Sequence, residues 1–198
     1  MQNFKVYTVF AGVNGAGKST LFQSDNSENL GVRLNSDEII KKNGEDWKDV
    51  NAQISAGKEI IRLQDECFRQ GLSMNRETTL VGNNIINSIR KAKELGYIIR
   101  LRYVGVSSPE IAKERIAKRI SMGGHGVSEE TIDRRFGSSL ENFYKVYNLC
   151  DNINIFDNSG SSMVLVAYSK SGILKRTDVS CEWCDNLIQN LNENKTIK

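Results

Sequence analysis

Proline, histidine and long apolar runs are what this chain has least of. Among 198 residues there is one proline, Pro109, and one histidine, His125. No Pro-rich or Gly/Ser-rich linker, internal repeat or low-complexity block interrupts the sequence. One domain over residues 1–198 is therefore expected, long enough for a well-filled core. No apolar run approaches membrane-spanning length, and Met1-Gln2-Asn3-Phe4-Lys5 lacks the apolar stretch of a signal peptide. The expected address is cytoplasmic, with no membrane partner. Excess charge is also scarce. With 27 Lys and Arg against 24 Asp and Glu, the net charge of +3 is too small to argue for nucleic acid. The four cysteines complete no metal site. Cys67 and Cys150 stand alone in apolar segments and read as core fillers. Cys181-Glu182-Trp183-Cys184 is a C-x-x-C with no second Cys or His pair to finish a zinc site. It also lies far from any βαβ start, so a structural role is expected.

What is present begins at residue 12. Gly12-Val13-Asn14-Gly15-Ala16-Gly17-Lys18-Ser19 fits G-x-x-x-x-G-K-[ST] at every fixed position, with Thr20 following. The apolar run Phe4 to Ala11 before it suits a strand buried on both faces, and Ser19 to Phe22 reads as a first helical turn. Glycines let such a loop turn its N–H groups inward, and the helix N-terminus adds positive partial charge. Lys18 is expected at the β- and γ-phosphates, and the Ser19 hydroxyl on Mg²⁺. ATP with Mg²⁺ is the expected cofactor.

Strand-like and helical stretches alternate along the rest of the chain, the pattern of a parallel sheet covered on both faces. Strands are expected over residues 31–35, 72–75, 97–106 and 152–156. Helices are expected over 48–70, 84–95, 109–121 and 129–149, with Ser108 able to cap the third of these. Residues 163–168 and 172–176 read as a terminal hairpin, followed by a C-terminal helix. The fold class is α/β: a three-layer α/β/α P-loop kinase-type sandwich with a mainly parallel sheet and a C-terminal β-hairpin plus helix.

Three features bear on the reaction. No hydrophobic run ends in Asp or Asp-Glu, as a Walker-B ATPase requires; the strongest strand ends Val104-Gly105-Val106. Asp37 stands just past the second strand, at the carboxyl edge where phosphates lie. There it can act as a base on an acceptor hydroxyl or help hold Mg²⁺, or it can simply cap a helix. Arg115 and Arg119 share a helix face, and Arg134-Arg135 follow the glycine-rich loop Gly123-Gly124-His125-Gly126. A lid over about 119–135 that carries guanidinium groups to the γ-phosphate is one reading. A solvated basic face is the other.

The phosphate loop, Glu77-Thr78-Thr79-Leu80, Gly123-Gly124-His125-Gly126-Val127 and Arg134-Arg135-Phe136-Gly137-Ser138-Ser139-Leu140 together resemble the zeta-toxin family of P-loop kinases. The similarity runs from residue 4 to about 168. The best-understood members phosphorylate the sugar 3′-hydroxyl of UDP-N-acetylglucosamine and so block cell-wall precursor synthesis. The resemblance implies Asp37 as base, Glu77 as a second catalytic carboxylate facing the acceptor, and Arg119 with one of Arg134 or Arg135, Arg134 preferred, as charge-stabilising arginines. Thr78, Thr79 and His125 would contact the acceptor, and Asp157-Asn158-Ser159 would lie near the nucleotide base. Arg76 stands where an apolar or aromatic residue is expected. The implied partners are a small-molecule hydroxyl acceptor and an antitoxin protein. Competing expectations are a kinase of another metabolite, nucleoside or nucleic-acid 5′ end, and a regulatory protein that binds nucleotide without transfer.

Overall fold

The structure is a computed structural model that describes residues 4–27, 29–170 and 172–195, so Met1-Gln2-Asn3 lies outside the described residues. Its centre is β1 (Val6–Ala11), buried along its whole length. Tyr7, Val9 and Ala11 join a large hydrophobic cluster, while Phe10 joins a second one with Val104, Ala112 and Ile116. This is the strand buried on both faces that the opening apolar run predicts. The other strands are β2 (Val32–Leu34), β3 (Met74–Thr78), β4 (Ile98–Gly105), β5 (Asn152–Asp157), β6 (Val164–Lys170) and β7 (Ile173–Arg176). They form one seven-stranded sheet in the order β2-β3-β1-β4-β5-β6-β7. The five strands from β2 to β5 run parallel, and β6 and β7 are antiparallel additions.

Seven α-helices cover the sheet among the described residues: α1 (Lys18–Ser24), α2 (Ser36–Lys42), α3 (Val50–Gln70), α4 (Asn83–Glu94), α5 (Pro109–Ser121), α6 (Glu129–Val146) and α7 (Glu182–Lys195). The result is a mixed, mostly parallel three-layer α/β sandwich, as expected. None of the helices is long and apolar enough to cross a membrane.

Local chemistry accounts for the boundaries that differ from expectation. The helix expected from residue 48 begins at Val50, because the Asp49 side chain accepts from Asn51 N at 2.8 Å. Ser108 occupies the N-cap of α5 without a side-chain capping bond. β3 runs to Thr78, three residues beyond the expected end. Asn75-Arg76-Glu77-Thr78 has no strand-like apolar pattern, but β1 pairs with it through Phe10↔Glu77 and Ala11↔Thr78. The seven-residue helix α2 had no periodicity of its own.

The cysteines face the interior. Cys181 and Cys184 are buried in the large cluster and are not joined as a disulfide, and burial pushes the Cys184 thiol up to about 12. Cys67 is buried, whereas Cys150 is only half-buried and donates its Sγ hydrogen to Val146 O at 3.3 Å.

Candidate active site

The turn from β1 into α1 shapes the phosphate end of the site. Gly12 has φ of 140°, and a Cβ there would lie 2.1 Å from Val104 O. Gly17 has φ of 108°, and a Cβ there would lie 2.5 Å from Asn158 Nδ2, which donates to Ala16 O at 2.7 Å. Neither position admits a side chain without moving backbone or breaking that contact. Val13 O accepts from Ala16 N at 3.1 Å and from Lys18 Nζ at 3.1 Å, so the lysine folds back over its own loop. Lys18 is 7% exposed. Burial lowers its pKa, with the Arg119 and Arg135 charges in support, against the pull of Glu77 and Asp37.

Ser19 and Thr20 are exposed at the start of α1. The Ser19 hydroxyl donates to Glu77 Oε1 at 2.8 Å across from β3. The other Glu77 oxygen accepts from Arg33 Nη2 at 2.7 Å and Asn35 Nδ2 at 3.0 Å. Glu77 therefore sits beside the hydroxyl expected to hold the metal, and not only toward the acceptor. Arg33 is held in turn, with its guanidinium 3.6 Å over the Phe22 ring.

Asn35 decides what Asp37 is free to do. Its Oδ1 accepts from Asp37 N at 2.9 Å and Glu38 N at 3.4 Å, so Asn35 caps α2. The Asp37 carboxylate has no capping duty. Its Oδ2 lies 2.8 Å from His125 Nε2, and its side chain is 49% exposed on the cavity. Burial alone would raise its pKa, but the hydrogen bond and charge of His125, with Lys18 and Arg119, hold it below the ordinary carboxylate range. Trp47, between α2 and α3, packs edge-on to His125 at 6.3 Å between ring centroids.

One cavity of about 310 Å³ joins these parts, lined among others by Asn14, Lys18, Asp37, Arg76, Glu77, Thr78 and Thr79. Trp47, His125 and Arg135 line it as well. Beside Thr79, Leu80 has φ of 61° and is fully buried, a strained conformation for a branched residue. Thr78 Oγ1 accepts from Leu80 N at 3.0 Å, and Asn142 Nδ2 donates to Leu80 O at 2.8 Å, which hold it there.

The arginines part company. Arg119 ends α5 near enough for its charge to act on Lys18 and Asp37. Arg135 donates from Nη1 to Asn14 Oδ1 at 2.8 Å, whereas Arg134 is exposed. Of the two, Arg135 and not the preferred Arg134 faces the phosphate loop: a step of one residue turns a helical side chain by about 100°, and α6 turns the second arginine inward. Asn158 touches the phosphate loop, while Asp157 accepts from Trp183 Nε1 at 2.8 Å and Ser159 Oγ at 2.5 Å.

The residues that sequence reasoning passed over are Arg33, Asn35 and Trp47. Asn35 carried a usable signal, since Asn before Ser36-Asp37-Glu38 is a favoured N-cap. Arg33 and Trp47 reach the site only through packing.

A family model described as AAA domain matches residues 8–140. The chain belongs to that AAA-domain family. A protein of Haemophilus influenzae, itself uncharacterised, is 35% identical over 136 residues, covering 69% of this chain and 94% of the relative. Among solved structures, a chain of the AvrRxo1-ORF1:AvrRxo1-ORF2 complex with sulphate superposes with a TM-score of 0.67 at 15% identity. The match covers 93% of this chain and 64% of that one, so the present chain spans less than two thirds of that neighbour. The same complex with ATP gives 0.62. A chain from the PezAT toxin-antitoxin system of Streptococcus pneumoniae gives 0.63 at 17% identity, over 98% of this chain and 87% of that one. These likenesses establish a P-loop kinase-like fold for the AAA-domain chain described here.

Proposed function

We propose that this chain is an ATP-dependent phosphotransferase that moves the γ-phosphoryl group to a hydroxyl of a small molecule in the 310 Å³ cavity. One observation carries the reading. Asp37 is relieved of capping by Asn35 and opens on the cavity that Lys18 also lines. A protein that only binds and releases nucleotide needs no base placed there.

In this mechanism Asp37 accepts the proton of the acceptor hydroxyl as that oxygen bonds to the γ-phosphorus. The bond from the γ-phosphorus to the bridging oxygen breaks, and ADP leaves. His125 orients the Asp37 carboxylate, and Thr78 and Thr79 line the acceptor side. Lys18, Arg119 and Arg135 stabilise charge on the transferring group; Arg135 takes the role first given to Arg134. A lid over residues 119–135 holds the last two inward, Arg135 against Asn14, and excludes water. The Ser19 hydroxyl and Glu77 carboxylate are adjacent oxygen donors of the kind a hard divalent cation takes, and they fit Mg²⁺. Bound there, Mg²⁺ would neutralise charge on the β- and γ-phosphates.

The finer reading is a zeta-toxin-like kinase acting in the cytoplasm, with UDP-N-acetylglucosamine as the first acceptor to test. The motifs at residues 77–80 and 123–140 support it. The PezAT neighbour comes from a toxin-antitoxin system and the AvrRxo1 neighbour from a two-component complex, which supports an antitoxin-like protein partner here. The test is incubation with Mg-ATP and a panel of hydroxyl acceptors, read by mass spectrometry. A product heavier by one phosphoryl group supports transfer. ATP binding without any product favours the regulatory alternative.

A further inference from the structure

Arg76 is the charged group in the cavity that the proposed mechanism leaves unused. It projects from β3 on the opposite face from Asn75 and Glu77, and it lines the cavity wall. Its Nη1 donates to Gln64 Oε1 at 3.1 Å, and that oxygen also accepts from Ser88 Oγ at 2.8 Å. Ser88 Oγ lies 3.1 Å from the Tyr7 hydroxyl. Gln64 and Ser88 are buried, so the guanidinium rests on a preset polar platform. All these partners are neutral. Among the described residues no carboxylate pairs with Arg76, although Arg33 beside it on β2 holds both Glu38 and Glu77. A half-buried guanidinium without a counter-ion is costly unless something else supplies the charge.

The facing wall leaves room for that something. Gln53, Gly57 and Gln64 fall at helical spacing on α3, and Gln53 and Gly57 line the same cavity. A Cβ built on Gly57 meets nothing within 4 Å. Glycine inside a helix costs about 1 kcal/mol relative to alanine. No neighbour forces that cost here, and the open space lies where an acceptor would enter.

We infer that the acceptor carries a fixed negative charge, a phosphate or a carboxylate, and that Arg76 is the residue that selects it. This inference rests on the phosphotransferase reading and names its substrate class. Lys18 and Arg135 serve the phosphate loop, and Arg33 with Ser19 and Asn35 occupies Glu77, so among the described residues Arg76 is the cavity cation with neither a carboxylate partner nor a phosphate-loop contact. A planar guanidinium fixed at one edge still presents N–H donors for a two-point contact with an oxyanion.

The test compares matched acceptors with Mg-ATP: glycerol 3-phosphate against glycerol, glucose 6-phosphate against glucose, UDP-N-acetylglucosamine against N-acetylglucosamine, and gluconate against glucitol. At least one pair should favour its charged member by tenfold or more in kcat/KM. The gluconate pair separates carboxylate from phosphate. Arg76→Gln should raise the KM of the charged member about tenfold and leave the KM of ATP within twofold, and Arg76→Lys should restore part of the preference. Gly57→Leu, built into open space, should raise acceptor KM with ATP affinity unchanged. The charge comparison needs no variant, so it stands even if Arg76→Gln does not fold. Equal treatment of charged and neutral members in every pair overturns the inference, as does a charge preference that survives in folded Arg76→Gln. If Mg-ATP still binds by calorimetry in that event, only the substrate class has failed; if it does not, the phosphotransferase reading has failed with it.

Discussion

The two ends of the cavity are built in different ways. At the phosphate end, eight consecutive residues turn on glycines whose hydrogens face Val104 O and Asn158, and the groups offered to a ligand are backbone N–H and one lysine. At the acceptor end, Asp37, Arg76, Thr79, Trp47, Gln53 and His125 arrive from five separate segments. The first end is local and sterically full, so almost any change should damage it. The second is assembled from side chains over open space, so its chemistry can be retuned without rebuilding the fold. Catalysis should therefore fail abruptly at the phosphate end and at Asp37, and shift in selectivity at the other acceptor-end positions.

The largest expected effect belongs to the phosphate end. Lys18→Ala should reduce transfer to background, because a charge-assisted contact to two phosphates is lost in ground and transition states alike. Its folding should survive, since among the described residues Nζ donates only to Val13 O. Wild-type ATP affinity in this variant would erase the contrast between the two ends.

Next comes Asp37→Asn, where transfer should fall by roughly two powers of ten while ATP affinity holds. With Asn35 capping α2, thermal stability should be nearly unchanged. A melting temperature lowered as for a lost cap, with transfer intact, would return Asp37 to a structural role.

The arginines sharpen the comparison further. Arg135→Ala should lower kcat more than it raises the KM of ATP, and Arg134→Ala should change neither appreciably, since only Arg135 contacts Asn14. Arg119→Ala should resemble Arg135→Ala, and Arg119→Lys should rescue poorly. Equal, mild effects at all three positions would make residues 119–135 a solvated basic face.

The smallest effects concern pH and capping. His125 is what overcomes burial to keep the Asp37 pKa low, so His125→Ala should raise it and move the acid limb of kcat to higher pH. In the parent, a folded-state pKa below the ordinary 3.8 means Asp37 is ionised throughout the neutral range. Its stabilising contribution is present above that ordinary value and is lost only as pH falls through the folded value. A pH–rate profile of the two proteins checks the direction. Asn35→Ala should cost about 1 kcal/mol, a fall of roughly 2–4 °C in melting temperature by calorimetry. It should also loosen Glu77.

The phosphate loop and the alternation of strands and helices were legible because each depends on neighbours in the chain. Glycine spacing, apolar runs and the Pro109 helix start are local facts, and they led to the right layers and a mainly parallel sheet. The polar strand β3 was cut short because Arg76-Glu77-Thr78 is held extended by β1 rather than by its own propensity. The choice between Arg134 and Arg135 was likewise out of reach. Both are plausible by residue type, and only the packing of α6 sets which one faces inward.

By itself, then, the sequence determined a phosphate-binding turn between a buried strand and a helix within an α/β chain, since these follow from backbone freedom and hydrophobic period. Tertiary structure alone decided that His125 meets Asp37, that Glu77 meets Ser19, and that Arg76 faces the cavity with no carboxylate paired to it among the described residues. Those outcomes depend on distances between segments far apart in the chain, and side-chain directions across a gap are set by packing, not by local propensity.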